Sequence, residues 1–181
     1  MLFRSTTYFG GAQFVHFLLG PATVALAVPL YENRKIVLAA ILPMLAALVA
    51  GSVTAVVSVV LLADVAGLPR TVVLSLAPKS VTAGVAMGIS ESLQADPSLT
   101  AVAVVLTGIM GAIIVTPLMN RMGIIDFRAR GFAVGIAAHG IGTARAFQVD
   151  AVAGAFAGIA MSLNALVTSL LVPLAVTLLV R

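Results

Sequence analysis

Long apolar runs separated by short polar turns dominate this chain from end to end. Ile36 to Leu62 is the clearest run, and it predicts a tilted transmembrane helix, because ~20 residues suffice to cross a bilayer. Ser98 to Met119 and Ala151 to Val180 predict two further full spans. Ahead of them lie a mixed, interfacial start, Met1 to Gln13, and an apolar run, Phe14 to Leu30. Gly20-Pro21 interrupts that run and Pro29 closes it. This predicts a kinked or broken helix, since proline removes a helical N–H and its ring clashes with the preceding turn. The polar turn Tyr31-Glu32-Asn33-Arg34-Lys35 follows, and the loop Ala63 to Arg70, with Asp64 and Gly67-Leu68-Pro69, ends the first full span.

Two stretches are too short to span alone. Thr71 to Ala77 is apolar, Pro78 breaks it, and Lys79 to Leu93 predicts a helix carrying Lys79, Ser80, Thr82, Ser90 and Glu91. Gly131 to Phe147 is again short, with a break predicted at Gly140 and Gly142, beside His139, Thr143 and Arg145. Each stretch leads through an acidic turn, at Asp96-Pro97 and at Asp150, into a full span ending in Pro-Leu. The segments 71–119 and 131–180 therefore read as two repeats within one domain covering 1–181. Paired interrupted helices are the sequence signature of a transporter site.

Charge suggests how these segments run. Placing the loops at Arg34-Lys35 and at Arg121 to Arg130 on the cytoplasmic side satisfies the positive-inside rule. Thr71 to Leu93 must then enter and leave on one face, as a re-entrant hairpin, and Gly131 to Phe147 forms a second hairpin from the opposite face. The repeats are inverted in that topology, and the tips near Lys79-Ser80 and His139-Gly140 meet near mid-membrane. Crossing broken helices are the alternative.

Composition narrows the class. Of 181 residues 61% are hydrophobic and 9% charged, against the roughly 25% charged of a soluble domain. A soluble globule must cover its surface with polar groups, so lipid is the solvent that fits. The runs do not alternate as barrel strands do. The fold class is thus an all-α integral membrane protein, with transmembrane helices plus two broken or re-entrant segments. The net charge of +4 is spread over loops, which speaks for topology and against a nucleic-acid partner. Met1 to Gly11 lacks the order of a cleavable signal peptide. With no cysteine, disulfides, thiol chemistry and cysteine zinc sites are excluded. His16 and His139 have no carboxylate at ligand spacing, and no glycine loop suits a nucleotide phosphate. No cofactor, metal or enzymatic activity is expected.

Three basic residues carry the candidate chemistry. A charge at membrane depth costs ~2.5–3.5 kcal/mol on insertion scales, so it marks function or a buried pair. Pro78-Lys79-Ser80 reads as a helix start, where free N–H groups favour an anion and Lys79 adds a charge. In the run Ala138 to Arg145, Gly140 and Gly142 permit exposed backbone, Arg145 suits bidentate grip of a carboxylate, and His139 suits proton transfer. Ser80, Thr82 and Thr143 would orient the solute, with Asn164 touching it or bonding across helices. Each has a plainer reading: Lys79 snorkels to the interface, Arg145 pairs with Asp150 as an anchor, His139 packs, and Glu91 is solvated. Asn164 and Thr168 pack, and Gly131-x-x-x-Gly135 and Gly154-x-x-x-Gly158 make close helix contacts.

At these residues the chain resembles the LrgB/CidB family of antiholin-like bacterial membrane proteins, which has a plastid relative that transports glycolate and glycerate. The matching stretches are Leu19 to Ala27 with Pro29-Leu30-Tyr31, Ala77 to Thr82, Pro97 to Ala101, Leu106-Thr107-Gly108, His139 to Ala146, Gly154-Ala155-Phe156 and Leu163-Asn164. The resemblance implies a multi-pass protein of the bacterial plasma membrane. It also implies either control of murein hydrolases and autolysis or transport of small carboxylates such as pyruvate, with an LrgA/CidA-type small partner and possible homo-oligomers. The buried basic residues at helix breaks favour transport. Where relatives often carry Thr-Pro after Pro-Lys-Ser-Val-Thr, this chain has Ala83-Gly84, and it has Ala138 where they often have Ser. Relatives also usually begin with one or two more hydrophobic helices, so an N-terminally shortened member is expected.

Overall fold

The computed structural model describes Tyr31 and residues 34–179. The interfacial start, the kinked first run and Glu32-Asn33 lie outside the described residues. Within them the chain forms seven α-helices and no strand: α1 Arg34–Ala39, α2 Ile41–Val65, α3 Arg70–Leu76, α4 Ala83–Ser92, α5 Pro97–Arg121, α6 Phe127–Val149 and α7 Ala151–Leu179. Helices α2, α5 and α7 are long and apolar enough to cross a membrane. They match the three expected spans to within a few residues.

Three local differences have physical causes. The expected helix from Ile36 is two helices hinged at Ala40 (φ −103°, ψ 8°), because Pro43 has no N–H to offer and crowds the carbonyl four residues back. The helix expected from Lys79 begins only at Ala83. Residues 77–82 form successive tight turns, with Lys79 N–H on the Leu76 carbonyl (3.1 Å) and Val81 N–H on the Pro78 carbonyl (3.2 Å). Thr82 is extended (φ −58°, ψ 143°) and starts α4. In α6 the break falls at Ala138 and His139 (φ 40°, ψ −136°) rather than at Gly140 and Gly142, which are helical. Beyond that break α6 folds back: a Cβ on Gly142 would lie 2.9 Å from Val134 Cγ2, and Arg130 and Arg145 line one cleft.

Helix α7 is the post on which the rest is hung. Its first half faces both arms of α6. A side chain on Gly131 or Gly135 would strike the Ala153 or Ala157 carbonyl, and one on Gly154 the Phe147 ring. The glycine pattern thus does serve close approach. Phe132 and Ile136 of α6 pack there with Phe156 and Ile159 of α7 and with Met44 and Leu48 of α2. Near its other end, Val172, Ala175 and Val176 pack on Val73, Ala77, Val81, Ala86 and Ile89 of the first broken segment, beside Val56 and Val60 of α2. The two broken segments therefore approach the middle of α7 from opposite ends.

The same packing sorts the charges. One groove is lined by Ala39, Ala40, Asp126 and Arg128, so the start of α2 and the α5–α6 loop share one end of the molecule. That end carries Arg34, Lys35, Arg121, Arg128, Arg130 and Arg145 against Asp126 and Asp150. The other carries Arg70 against Asp64, Glu91 and Asp96.

Candidate functional site

The first break is anchored by polar side chains at its outer end. Asp96 N–H donates to Ser75 Oγ (2.9 Å). Thr100 donates to the Ser75 carbonyl (2.9 Å) and shares a 2.8 Å hydrogen bond with Ser90. Asp96 also caps α5 through Ser98 N–H (2.8 Å). These bonds hold α3, α4 and α5 in register and leave residues 77–82 at the inner tip. There Lys79 is half-buried and has no hydrogen bond or ion pair among the described residues. Ser80 is 3% exposed, and its hydroxyl is the one buried side-chain polar atom among the described residues without a partner. Such atoms are rare in native proteins and call for an explanation. Thr82 is partly buried and does not spend its hydroxyl on capping α4, so the first N–H groups of that helix remain open.

The second break is built around His139. Its positive φ is uncommon for a residue with a side chain and signals strain over-determined by surroundings. Two bonds supply the restraint. His139 Nε2 lies 2.8 Å from the Val104 carbonyl; a carbonyl only accepts, so Nε2 carries the hydrogen. Thr143 Oγ1 donates back to the His139 carbonyl (2.8 Å). Helix α5 makes room with glycine: a Cβ on Gly108 would stand 2.7 Å from His139 Cε1 and 2.8 Å from Ile141 Cδ1, and one on Gly111 would strike Ala138 Cβ. Gly140 faces more open space, with Met161 Sδ at 3.9 Å from its would-be Cβ.

One residue joins the two breaks. Asn164, fully buried at mid-α7, donates from Nδ2 to the Ile136 carbonyl (3.0 Å) and, at 3.4 Å, to the Ser80 carbonyl. Its Oδ1 accepts from Ser52 (2.7 Å) and Thr168 (3.1 Å). All four of its hydrogen-bonding positions are thus held by protein groups. Val104 adds a second junction, since it packs with Ala77 and Val81 of the first break while its carbonyl holds His139.

Lys79, Ser80, Thr82, His139, Gly140, Gly142 and Thr143 accordingly lie on or just beyond the two tips. Arg145 does not reach them. It follows His139 by six residues, about one and a half helical turns down the returning arm, and lines a cleft with Arg130. Nor does it pair with Asp150, whose carboxylate caps α7 through Val152 and Ala153 N–H (2.8 and 3.0 Å). Arg145 instead reaches Gln148 at 3.4 Å. Glu91 is exposed at the far end, as expected. Sequence reasoning missed Ser52, Gly108 and Arg130. A serine beside Gly51 in an apolar span was the available signal for Ser52; Gly108 and Arg130 gain their roles only through tertiary contact.

With this geometry in view, comparisons place the chain among known proteins. The LrgB-like family model matches residues 2–178. The chain is 31% identical over 171 residues to the holin-like protein CidB of Staphylococcus epidermidis, covering 94% of this chain and 75% of that protein. It is 33% identical to YxaC of Bacillus subtilis (94% and 74% covered) and 30% identical to the holin-like protein CidB of Staphylococcus aureus (94% and 75%). No solved structure matches it.

Proposed function

This chain belongs to the LrgB-like family of membrane proteins, and we propose that it is a secondary transporter of small monocarboxylates of the pyruvate or glycolate type. The observation that carries this reading is the buried Ser80 hydroxyl, without a partner among the described residues, beside Lys79, which has none among them either, at a point where two interrupted helices converge on Asn164. A carboxylate would answer each unmet group there: the ammonium, the hydroxyl, and the free N–H groups at the start of α4. Thr82 and the backbone at Gly140 would orient it, Gly142 would pack the returning arm against Val134, Thr143 would hold the His139 carbonyl, and His139 would carry a coupled proton. Asn164 enters as the post that fixes both tips, its own bonds being satisfied internally. Arg145 stands apart from this grip.

In this reading the basic end faces the cytoplasm, the broken segments are re-entrant hairpins from opposite faces, and 71–119 and 131–180 are inverted repeats. The membrane is the bacterial plasma membrane. A small LrgA/CidA-type partner or a homo-oligomer would complete the assembly. The relatives named holin-like support a second reading, a regulator of cell-wall hydrolysis.

Uptake of labelled pyruvate, lactate and glycolate into proteoliposomes separates the two. Saturable uptake is expected, with Lys79→Gln weakening half-saturation roughly ten- to hundredfold, as for loss of a charge-assisted bond of ~1.5–3 kcal/mol. Absence of saturable uptake by folded protein, together with unselective dye leakage, would leave the regulator standing.

A further inference from the structure

The fold-back of α6 creates a second basic locus, remote from the tips. Arg130 on the entering arm and Arg145 on the returning arm line one cleft, closed by Val115 and Thr116 of α5 and Ala153 of α7. Arg130 is held in place by the Thr116 carbonyl (3.3 Å), by Asn120 Oδ1 and by the Phe127 ring at 5.8 Å. Among the described residues Arg145 has only the long bond to Gln148. Among the described residues neither meets a carboxylate, and both nearby acids among them are committed elsewhere. Asp150 caps α7. Asp126 is bound to Arg128 at 2.6 Å, and that hydrogen-bonded guanidinium holds its carboxyl below the ordinary range. Two like charges on opposite arms of one bent helix push the arms apart unless an anion lies between them.

We propose that Arg130 and Arg145 bind the phosphate group of an anionic phospholipid. Two guanidiniums presenting forked donors match phosphate oxygens better than any single cation would. The enclosed space is about 20 Å³, too small for a solute, so the ligand lies over the cleft mouth, against Phe127 and Val149. The cleft opens at the end carrying Arg34, Lys35, Arg121, Arg128, Arg130 and Arg145. Basic pockets between helices at the cytoplasmic side are where anionic headgroups are held. The bound headgroup would staple the arms of α6 and so hold the His139 tip against α5. This inference is independent of transport.

The test is thermal unfolding of the full chain in detergent, titrated with phosphatidylglycerol, phosphatidylcholine or inorganic phosphate. Phosphatidylglycerol should stabilise the natural chain where phosphatidylcholine does not. Arg145→Gln should need roughly tenfold more phosphatidylglycerol for half of the effect, and Arg145→Lys should fall between, keeping charge but losing the fork. Arg121→Gln, at the same end of the molecule but outside the cleft, should match the natural chain. Arg130→Gln should behave like Arg145→Gln; since it also loses the Thr116 and Asn120 bonds, the Arg145 variants decide the matter if it does not fold. An unchanged titration in Arg145→Gln, or equal protection by both lipids, would overturn the proposal. Equal protection by inorganic phosphate would keep the anion site and overturn the lipid as its source.

Discussion

Gly108 is the most exacting test of how the second break is held. Replacing it with alanine puts a methyl 2.7 Å from His139 Cε1, 2.8 Å from Ile141 Cδ1 and 2.9 Å from Ile141 Cβ. Carbon atoms rest at about 3.5–4.0 Å, so each contact is short by roughly 1 Å. Neither neighbour can retreat freely. The imidazole is tied to the Val104 carbonyl one turn away on the same helix, and Ile141 Cβ moves only with its backbone. Overpacking of this kind costs about 1–3 kcal/mol, while alanine in a helix interior gives back up to about 1 kcal/mol through the backbone. Gly88→Ala is the control, because nothing lies within 4 Å of the Cβ it would add, and it too sits inside a helix. Subtracting the two removes the backbone term and leaves the overpacking cost, about 1–3 kcal/mol. The assay is circular dichroism during thermal unfolding in detergent, run on both variants and the natural chain. Equal unfolding temperatures for Gly108→Ala and Gly88→Ala would refute the seating of His139 on α5.

Two further substitutions probe the remaining joints. Asn164→Leu keeps the branched four-atom shape of the side chain but strands the Ser80 and Ile136 carbonyls, and should destabilise by about 1–3 kcal/mol. Ser52→Ala, which removes only one donor to Asn164, should cost clearly less by the same melt. Asp150→Ala should cost about 1 kcal/mol by uncapping α7 while Asp150→Asn, which still caps, should be near neutral. An equal loss in both Asp150 variants would restore an ion pair with Arg145.

The three spans were legible because lipid makes one demand that sequence states directly, an apolar run of sufficient length. The first break was legible at Pro78, although the next helix starts four residues later than expected, since the turns at 77–82 close on backbone groups that carry no sequence label. The second break was displaced to a non-glycine residue. Gly140 and Gly142 drew attention as flexible points, yet Gly142 serves packing against Val134 and the strain falls on His139. What permits that strain is Gly108 and Gly111, some thirty residues earlier, and no local pattern announces it. The hinge at Ala40 was readable from Pro43 and was overlooked. Arg145 was recognised as unusual, but a fold-back decides which side chains share a cleft. It drew Arg145 to Arg130 and away from Lys79.

The position of Asn164 also bears on how the chain is made. Ser80 and Asn164 are 84 residues apart, and α7 leaves the ribosome after every other described helix. At about 5–20 residues per second, the Ser80 carbonyl waits roughly 4–17 s after synthesis for the amide that satisfies it. Until then the first tip has no post, and the backbone of a non-helical turn must find water or headgroups at the membrane surface. The first tip therefore closes only once α7 is in place. A chain arrested before α7 would present both interrupted helices to the membrane-protein quality-control machinery as unfinished.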